Sequence, residues 1–406
     1  MKMSLDKLFR KLMPKSLKLF VRRFFPKRSL KYLQAKAASE NPFSDDEKFG
    51  EYKGDNKYTL GIIKEFTHYH KHYIAACRGL NVSYKVLDIS GPNWVDVIRN
   101  SQCDGFLVWP SSMMTIWKQM YDERLRIMSL DMSKVIFPRY EALWMWQSKR
   151  RMWDWMVAHN VPCPKAWLFY RLEEAEQFLN KAKFPLVFKP DFGDIAKGIR
   201  ILRSRKEALK HVRKVFSKGI RLPGAHPCDV QWGVVFLQEY LADVAEWRTI
   251  RIGNSYFGHQ KLKKGDFHSG SGEVGWYDPP KKLLDFVREV TNMGGFNSMN
   301  LDIFETADGC YLVNELQSMF GTIRPYQMLV KGKAGRYLYD YDAKSWHFEE
   351  GVFCQNGCCN LRIETLVEML GHQVELPKVD VDAAVSKEDR AASIRDWELR
   401  VSQQSE

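Results

Sequence analysis

Asp302 and Glu315 are the residues of this 406-residue sequence whose types and spacing point most directly to chemistry. Each stands in a run of alternating polar and apolar residues, and the two runs flank Asp308-Gly309, a dipeptide typical of tight two-residue turns. The pattern predicts a β-hairpin with the two carboxylates directly opposite each other. Side chains paired in this way have Cβ atoms roughly 4.5–5.5 Å apart, and two like charges there destabilise the pair. A cation between them would relieve the repulsion.

The pairing register of this hairpin decides whether the two carboxylates meet. Counting outward from a two-residue turn predicts four opposed pairs: Ala307 and Cys310, Phe304 and Val313, Asp302 and Glu315, and Asn300 and Gln317. Hard oxygen ligands at this spacing suit Mg²⁺, which takes one or two carboxylates and leaves its other positions to water and phosphate oxygens. The alternative is a solvated acidic hairpin, since a loop longer or shorter by one residue would move Asp302 away from Glu315.

A second group of candidate residues surrounds a glycine-containing loop. A strand-like segment ends near Lys189, and the loop 191–198 that follows carries Gly193, Lys197 and Gly198. Glycines let backbone N–H groups approach a phosphate, and a lysine at the strand end supplies a point charge. The composition predicts a phosphate-binding loop. The alternative is an exposed hairpin that happens to carry glycine and lysine.

A further hairpin is predicted to turn at Gly253-Asn254. Counting outward predicts three opposed pairs: Ile250 and Phe257, Arg248 and His259, and Glu246 and Lys261. The charged open end suits the lining of an anion site. The alternative is a pair of surface salt-bridge rungs, each of which would contribute little stability.

The elements ahead of these residues predict a separate domain. Within residues 57–132, strand-like runs that begin at Tyr58, Ser83 and Gly105 alternate with helical patterns. Such alternation predicts a small doubly wound α/β domain. No GxGxxG follows the first of these strands, so the dinucleotide-binding fingerprint is absent.

The composition is ordinary for a folded chain of two to three domains, with 45% hydrophobic and 27% charged residues. No apolar run approaches the ~20 residues needed to span a bilayer. The net charge is +13, yet eleven Lys and Arg against one acid, Asp6, fall within residues 1–31. Because this excess is terminal and has no aromatic groove for stacking bases beside it, nucleic-acid binding is not predicted.

Residues 1–33 form a basic amphipathic segment. Apolar residues recur at helical spacing on either side of Pro14, and lysines and arginines fill much of the other face. Such helices suit an anionic membrane surface, which predicts a peripheral position on the inner face of the cell membrane. A helix docked on the protein itself and an organellar transit segment are the alternatives. Residues 34–56 are predicted to be a linker.

Eight cysteines are scattered along the chain, and Cys354, Cys358 and Cys359 are the one cluster. Neither a disulfide framework nor a paired CxxC zinc pattern is present, which favours reduced thiols and a cytoplasmic location. Packing in a core is the main interpretation of the cluster, and a metal site is the alternative.

Taken in order, these motifs resemble those of the ATP-grasp superfamily over about residues 58–321. The similarity rests on Lys149 in Gln147-Ser148-Lys149, Val161-Pro162-Cys163-Pro164, the Lys189 strand, Gln238-Glu239-Tyr240, Glu246-Trp247-Arg248, and the segments 297–302 and 313–317. The resemblance predicts an α/β (α+β) chain with the ATP-grasp fold behind an N-terminal doubly wound pre-ATP-grasp domain.

The resemblance also divides the rest of the chain. The ATP-grasp domain is expected over 133–335, with a small phosphate-loop subdomain inserted at 185–240. A C-terminal extension follows over 336–376. The polar, mixed-charge residues 377–406 are predicted to be a disordered tail.

Within the superfamily the chain is most similar to the RimK and glutathione-synthetase-like branch, particularly to members associated with bacterial surface polysaccharide synthesis. These members share the stretch Asp266-Phe267-x-Ser-Gly-Ser-Gly. Gln317 stands where many members have Asn, and His268 stands where Arg is common. The loop 191–198 also has fewer glycines than usual. These differences leave the identity of the substrates open.

The resemblance implies a role for each candidate residue. Phosphates of ATP would be held by Lys149, Lys189, Gly193, Lys197 and Gly198; adenine by Gln238, Glu239 and Tyr240; and one or two Mg²⁺, or Mn²⁺ as an alternative, by Asp302, Glu315 and Gln317. Arg248 and Lys261 would stabilise the oxyanion formed when an amine attacks an acylphosphate.

The activity implied is ADP-forming carboxylate–amine ligation, with a small molecule or a surface glycan as acceptor and an amine or amino acid as second substrate. This chemistry needs mainly positioning and charge, so the absence of a nucleophile–base triad does not count against it. Two alternatives are open: an ATP-grasp kinase, and a membrane-tethered nucleotide-binding scaffold without turnover. No oligomeric state is predicted.

Overall fold

Three β-sheets organise the part of the chain that the structure describes. The structure is a computed structural model that describes residues 50–67, 69–112, 114–193, 198–223, 225–226, 228–265, 272–322 and 324–403. The basic segment 1–33, Lys197 and the stretch around His268 lie outside these ranges. No helix within them is both long enough and apolar enough to cross a membrane.

The first sheet confirms the predicted doubly wound domain. Its strands are β1 (Glu51–Tyr52), β2 (Thr59–Ile63), β3 (Ser83–Leu87), β4 (Gly105–Leu107) and β5 (Ile136–Phe137), in the order β1-β3-β2-β4-β5. All neighbouring strands are parallel except β1, which pairs antiparallel with β3. The helices are α1 (Lys71–Gly79), α2 (Trp94–Arg99) and α3 (Thr115–Arg126), the last continued by a π-helical turn, Ile127–Asp131.

Strand β1 falls inside the predicted linker, so the domain begins earlier than expected. The ring of Tyr52 stacks on that of Tyr84, with centroids 5.9 Å apart. The Tyr52 hydroxyl also donates to Asn81 Oδ1 at 2.7 Å. These contacts are long-range, which is why the local composition of residues 34–56 does not reveal the strand.

The second sheet is small and antiparallel. It contains β6 (Ala166–Phe169), β7 (Leu186–Lys189), β8 (Arg200–Leu202) and β9 (Val235–Glu239), in the order β6-β9-β7-β8. Helices α6 (Leu172–Lys181) and α7 (Arg205–Ser217) enclose with it a hydrophobic core of its own. The subdomain therefore starts with β6, ahead of the predicted boundary at 185, because β6 is the edge partner of β9.

The third sheet is the largest, with the path β14-β13-β10-β11-β16-β15. Its strands are β10 (Val244–Ile252), β11 (Ser255–Lys261), β12 (Val274–Gly275), β13 (Ser298–Thr306), β14 (Tyr311–Gln317), β15 (Leu329–Val330), β16 (Lys333–Asp340) and β17 (Ser345–Glu350). Helices α4 (Tyr140–Met145) and α5 (Lys149–Ala158) precede it, and α8 (Lys281–Met293) lies between β12 and β13. The predicted register of the β10–β11 hairpin is confirmed at all three opposed pairs.

The β13–β14 hairpin reaches its predicted pairing by a different route. Asp302 lies opposite Glu315, and Asn300 lies opposite Gln317, as counted from the sequence. The turn, however, is not the expected two-residue one, because the Thr306 N–H donates to the Cys310 carbonyl at 3.0 Å. A register shift beyond Asp302, with Asn314 as the extra residue of β14, compensates for the longer turn. The predicted pairing of Phe304 with Val313 is therefore wrong, since Phe304 lies opposite Leu312.

Helix α9 (Gln355–Met369) joins the first sheet to the third. Its residues contribute to both hydrophobic cores: Cys359 and Ile363 to the first, and Cys358 and Leu361, with Cys354 just ahead of the helix, to the second. Arg362 is fully buried between them. Its guanidinium carbon lies 5.2 Å from the centroid of the Trp109 ring and 4.7 Å from that of Phe320.

The C-terminal residues form helices α10 (Val381–Ala384) and α11 (Lys387–Gln403), so the prediction of a disordered tail is wrong. Asp389 accepts hydrogen bonds from Arg324 Nε at 2.5 Å and from the Tyr326 hydroxyl at 2.7 Å. Asp396 accepts one from the Trp276 N–H at 2.7 Å. Two of the charges that suggest disorder thus have partners in the connections of the third sheet.

Candidate nucleotide and metal site

A cleft lies between the small sheet, helix α5 and strand β14. It is lined by Lys149, Met152, Trp153, Met156, Cys163, Pro164, Lys189, Phe236, Gln238 and Asn314. Met152 and Met156 are four apart on one face of α5, and Trp153 meets the ring of Phe236 edge-on at 6.0 Å. The cleft therefore has an apolar wall and one polar end, which carries two lysines.

Lys149 is the first residue of α5 and is buried. Its Nζ donates to the carbonyl of Gly193, in the loop that follows β7. The same Nζ lies 3.7 Å from Glu315 Oε1 on β14. A single ammonium group thus contacts both the predicted phosphate loop and a predicted metal ligand.

Lys189 is the last residue of β7 and is also buried. Its Nζ donates to Asn314 Oδ1 at 2.7 Å. Burial lowers the pKa of Lys189 to about 8, while the carboxylate of Glu315 acts in the opposite direction. Asn314 is the extra residue of β14, so the β-bulge turns its side chain towards this lysine. The sequence motif around Asn314 gave it no role.

The two carboxylates of the predicted metal site belong to one row of side chains across four strands: His259, Arg248, Asp302 and Glu315. Lys261 lies in the next row, opposite Glu246, and its ammonium group bonds to one carboxylate in each row. Its Nζ lies 2.7 Å from Glu246 Oε1 and 2.5 Å from Asp302 Oδ2. Burial alone would raise the pKa of Asp302, but the charges of Lys261 and Arg248 hold it below its ordinary value. Asp302 is therefore an ionised carboxylate.

The oxygen atoms of Asp302, Glu315 and the neighbouring pair Asn300 and Gln317 suit a hard cation. Asn300 Nδ2 donates to Asp302 Oδ1, and Gln317 Nε2 donates to Glu315 Oε2, both at 3.1 Å. The amide oxygens of Asn300 and Gln317 are buried and accept no hydrogen bond. Two carboxylates with two unpartnered amide oxygens beside them are ligands that Mg²⁺ prefers, so the residues present fit the ion. No group of three His, Cys, Asp or Glu side chains among the described residues is arranged to hold a metal.

Arg248 has a different environment from Lys261. Its Nε is buried without a hydrogen-bond partner, and its guanidinium carbon lies 5.9 Å from the centroid of the Phe320 ring. Its neighbour His259 donates through Nδ1–H to the Gln327 carbonyl at 2.8 Å, and burial lowers the pKa of this histidine to about 3. His259 is therefore neutral, and Arg248, opposite Asp302 in the sheet, has an Nε–H without a hydrogen-bond partner.

The predicted adenine segment at the end of β9 is only partly in the cleft. Gln238 is buried and lines the cleft. Glu239 is instead bound to Lys165: its Oε1 accepts from the Lys165 N–H at 2.7 Å, and its own N–H donates to the Lys165 carbonyl at 2.9 Å. Tyr240 follows the strand and is half-buried.

The predicted phosphate loop is described at both of its ends. Gly193 receives the hydrogen bond from Lys149. Gly198 has φ +79°, and a Cβ there would lie 2.6 Å from Leu222 Cδ2, so this position requires glycine. Residues 194–197, which include Lys197, lie outside the described ranges.

Comparisons with known proteins identify the fold. The sequence matches no family model and none of the curated proteins. It is similar in structure to the biotin carboxylase domain of the Hydrogenobacter thermophilus 2-oxoglutarate carboxylase, in complex with MgADP, ADP and bicarbonate. The TM-score is 0.51 with 11% identity, over 79% of this chain and 71% of that chain.

Two further structures give lower scores. D-alanine–D-alanine ligase from Bacillus anthracis, complexed with ATP, has a TM-score of 0.48 and 14% identity, over 77% of this chain and 98% of that chain. A RimK-domain ATP-grasp protein from Sphaerobacter thermophilus has a TM-score of 0.45 and 12% identity, over 64% of this chain and 90% of that chain. At these identities the likeness concerns the fold alone: the chain has the ATP-grasp fold, as the order of its motifs predicts.

Proposed function

We propose that this protein is an ATP-dependent ligase that joins a carboxylate to an amine through an acylphosphate. The observation that carries the proposal is the position of two buried lysines, Lys149 and Lys189, between an apolar cleft and the opposed carboxylates Asp302 and Glu315. An apolar cleft that ends in cations and hard oxygen ligands suits a nucleotide with a metal-bound phosphate chain. The ATP and MgADP complexes of the similar proteins support this choice of ligand.

In this proposal the adenine ring lies against Met152, Trp153 and Phe236, with Gln238 at its edge. The α- and β-phosphates are held by Lys149 and Lys189. The Gly193 carbonyl, which accepts the Lys149 hydrogen bond, gives way to a phosphate oxygen. The side chain of Glu239 does not contact the base in this proposal, because it accepts the hydrogen bond from the Lys165 N–H and so fixes the chain beside β9.

Asp302, Glu315 and Gln317 would hold Mg²⁺, or Mn²⁺ in its place, and Asn300 offers a further amide oxygen. When bound, the metal would neutralise the phosphate charge while the γ-phosphoryl group moves to the acceptor carboxylate. Arg248, with its unpartnered Nε, is assigned to the tetrahedral oxyanion that forms when the amine attacks. Lys261 is held by two carboxylates, so its proposed part is to keep Glu246 and Asp302 ionised and in place.

For the substrates we propose a small molecule or glycan that supplies the carboxylate or the amine, with an amino acid as its partner. The support for this part is the sequence stretch 266–272 and the basic segment 1–33, which would bring the enzyme to an anionic membrane surface. Cosedimentation with vesicles containing anionic lipid tests whether residues 1–33 bind such a membrane. Equal pelleting of the full-length and 34–406 chains would end the membrane proposal.

The nucleotide proposal is tested by calorimetric binding of a non-hydrolysable ATP analogue, with and without Mg²⁺, to the wild-type protein and to Glu315→Gln. Binding that requires Mg²⁺ and weakens in the variant is expected. Tight binding that is indifferent to both would refute the metal site. A turnover assay with ATP then separates the three functions. Phosphate release that needs both a carboxylate and an amine identifies a ligase, and a stable phosphorylated product identifies a kinase. Nucleotide binding without turnover identifies a scaffold.

A further inference from the structure

Asp191 makes more polar contacts with helix α5 than the phosphate-loop prediction requires. It follows β7 and Pro190, and its side chain is 11% exposed. Its Oδ1 accepts from the Ser148 hydroxyl at 2.6 Å and from the Arg150 N–H at 3.1 Å. Its Oδ2 accepts from Arg150 Nε at 3.1 Å, and its main-chain carbonyl accepts from the Lys149 N–H at 3.0 Å.

These contacts satisfy the start of a helix from outside the helix. The first N–H groups of any α-helix have no partner within it. In α5 the N–H groups of Lys149 and Arg150 bond to Asp191, and the N–H of Arg151 bonds to Ser148 Oγ at 3.3 Å. A carboxylate at this position also stabilises the positive end of the helix dipole. The helix terminus is therefore already satisfied, and any contact with phosphate falls to the Lys149 side chain.

The same contacts fasten the base of the loop to that lysine. Gly193, two residues after Asp191, accepts the hydrogen bond from Lys149 Nζ. Between them, Phe192 pairs with Ser148 as an isolated β-bridge. The loop base and the helix terminus are thus joined at three successive residues of the loop.

We infer that Asp191 is a positioning residue for nucleotide binding: it holds the loop base 191–193 and Lys149 in one fixed relation. Asp191 does not contact the nucleotide itself. When a phosphate oxygen replaces the Gly193 carbonyl at Lys149, the carboxylate keeps the helix terminus and the loop base together. The inference rests on the proposed nucleotide site, because Lys149 is the group through which Asp191 acts.

The test measures calorimetric binding of Mg-ADP, with thermal unfolding in parallel, for full-length Asp191→Ala and Asp191→Asn. The alanine variant leaves the Ser148 hydroxyl and the Arg150 N–H without their acceptor. Loss of hydrogen bonds to a charged group at about 1.5–3 kcal/mol corresponds to at least about tenfold weaker binding. The asparagine variant keeps an Oδ1 acceptor, so it should bind within about threefold of wild type.

Ser204→Ala is the matched control. Ser204 caps helix α7 of the same subdomain, with its Oγ accepting from the Glu207 N–H at 3.3 Å, and it does not line the cleft. Removing this cap costs about 1 kcal/mol of stability and should leave the affinity for Mg-ADP unchanged.

A folded Asp191→Ala protein that binds Mg-ADP as tightly as wild type overturns the inference. Equal weakening in Ser204→Ala also overturns it, because general destabilisation would then explain both variants. If Asp191→Ala does not fold, Ser148→Ala replaces it, with binding about threefold weaker expected and unchanged binding counting against the inference. A wild-type protein that binds no Mg-ADP refutes the proposed function itself, which is a different result from normal wild-type binding with unaffected variants.

Discussion

Binding of Mg-ADP should weaken as the pH rises above about 8, because Lys189 then loses its proton. Burial in the cleft lowers the pKa of this lysine from 10.5 to about 8. At pH 9, one unit higher, about one molecule in eleven keeps the charged form, and one pKa unit corresponds to about 1.4 kcal/mol. If phosphate binds only the ammonium form, the Kd at pH 9 is about tenfold weaker than at pH 7.

The assay is calorimetric titration with Mg-ADP between pH 7 and pH 9.5. Phosphate esters titrate at about pH 6, so the ligand keeps its charge throughout this range. Lys189→Arg is the matched control, because a guanidinium remains charged and its profile should be flat. The pKa of Lys118, another buried lysine, is also lowered to about 8. Lys118 pairs with Asp122 and does not line the cleft. It still titrates in the Lys189→Arg variant, so a flat profile there shows that Lys118 does not cause the pH dependence.

The titration of Lys189 affects folding stability in the opposite direction from ligand binding, so weaker binding can be distinguished from unfolding. Between about pH 8 and pH 10.5 the unfolded chain keeps the Lys189 proton that the folded chain has released. The contribution of Lys189 to the free energy of unfolding therefore rises with pH in this window, so unfolding at this group does not explain weaker binding. A wild-type Kd constant within about twofold over the range, or the same fall in Lys189→Arg, would refute the reasoning.

Three other substitutions test the packing around the site. Lys261→Met removes the ammonium group that bridges the buried carboxylates of Glu246 and Asp302, so the free energy of unfolding in urea should fall by about 3–5 kcal/mol. An unchanged urea midpoint would contradict the ion bridge. Asp389→Ala removes the acceptor that holds α11, which should lower stability by about 1–3 kcal/mol and speed proteolysis of the C terminus; wild-type resistance would argue against this docking. Gly198→Ala places a Cβ in a left-handed position against Leu222, with a loss of about 1 kcal/mol or more in thermal unfolding, and a neutral result would show that the loop relaxes.

The sequence was sufficient for the pairing of the charged residues but not for the path of the chain between them. The β10–β11 register followed from alternation around Gly253-Asn254 and was confirmed. In the β13–β14 hairpin the acidic pair was right although the turn was wrong, because the bulge at Asn314 offset the longer turn. A bulge whose side chain bonds to Lys189, 125 residues away, leaves no signal in the local pattern.

The C-terminal helices and the start of the small sheet were missed for a similar reason. The charges of residues 377–406 resemble a solvated tail until Arg324 and Trp276 are placed beside Asp389 and Asp396. Strand β6 is four residues long and is defined by its pairing with β9, some seventy residues later. The lysines, Gln238 and the motif that contains Cys163 and Pro164 pointed to part of the cleft. Its apolar wall was missed, because Met152, Trp153 and Met156 look like an ordinary apolar helix face.

The burial of Arg362 between two cores bears on how the protein unfolds. Helix α9 supplies buried residues to both the first and the third sheet, so neither core is complete without it. We therefore expect these two parts to unfold in one cooperative transition, although their sequence patterns look like separate domains. The small sheet has its own core. We therefore expect the small sheet to be able to change its angle to the rest while both cores stay intact, and the wall of the proposed nucleotide cleft formed by Lys189, Phe236 and Gln238 would move with it.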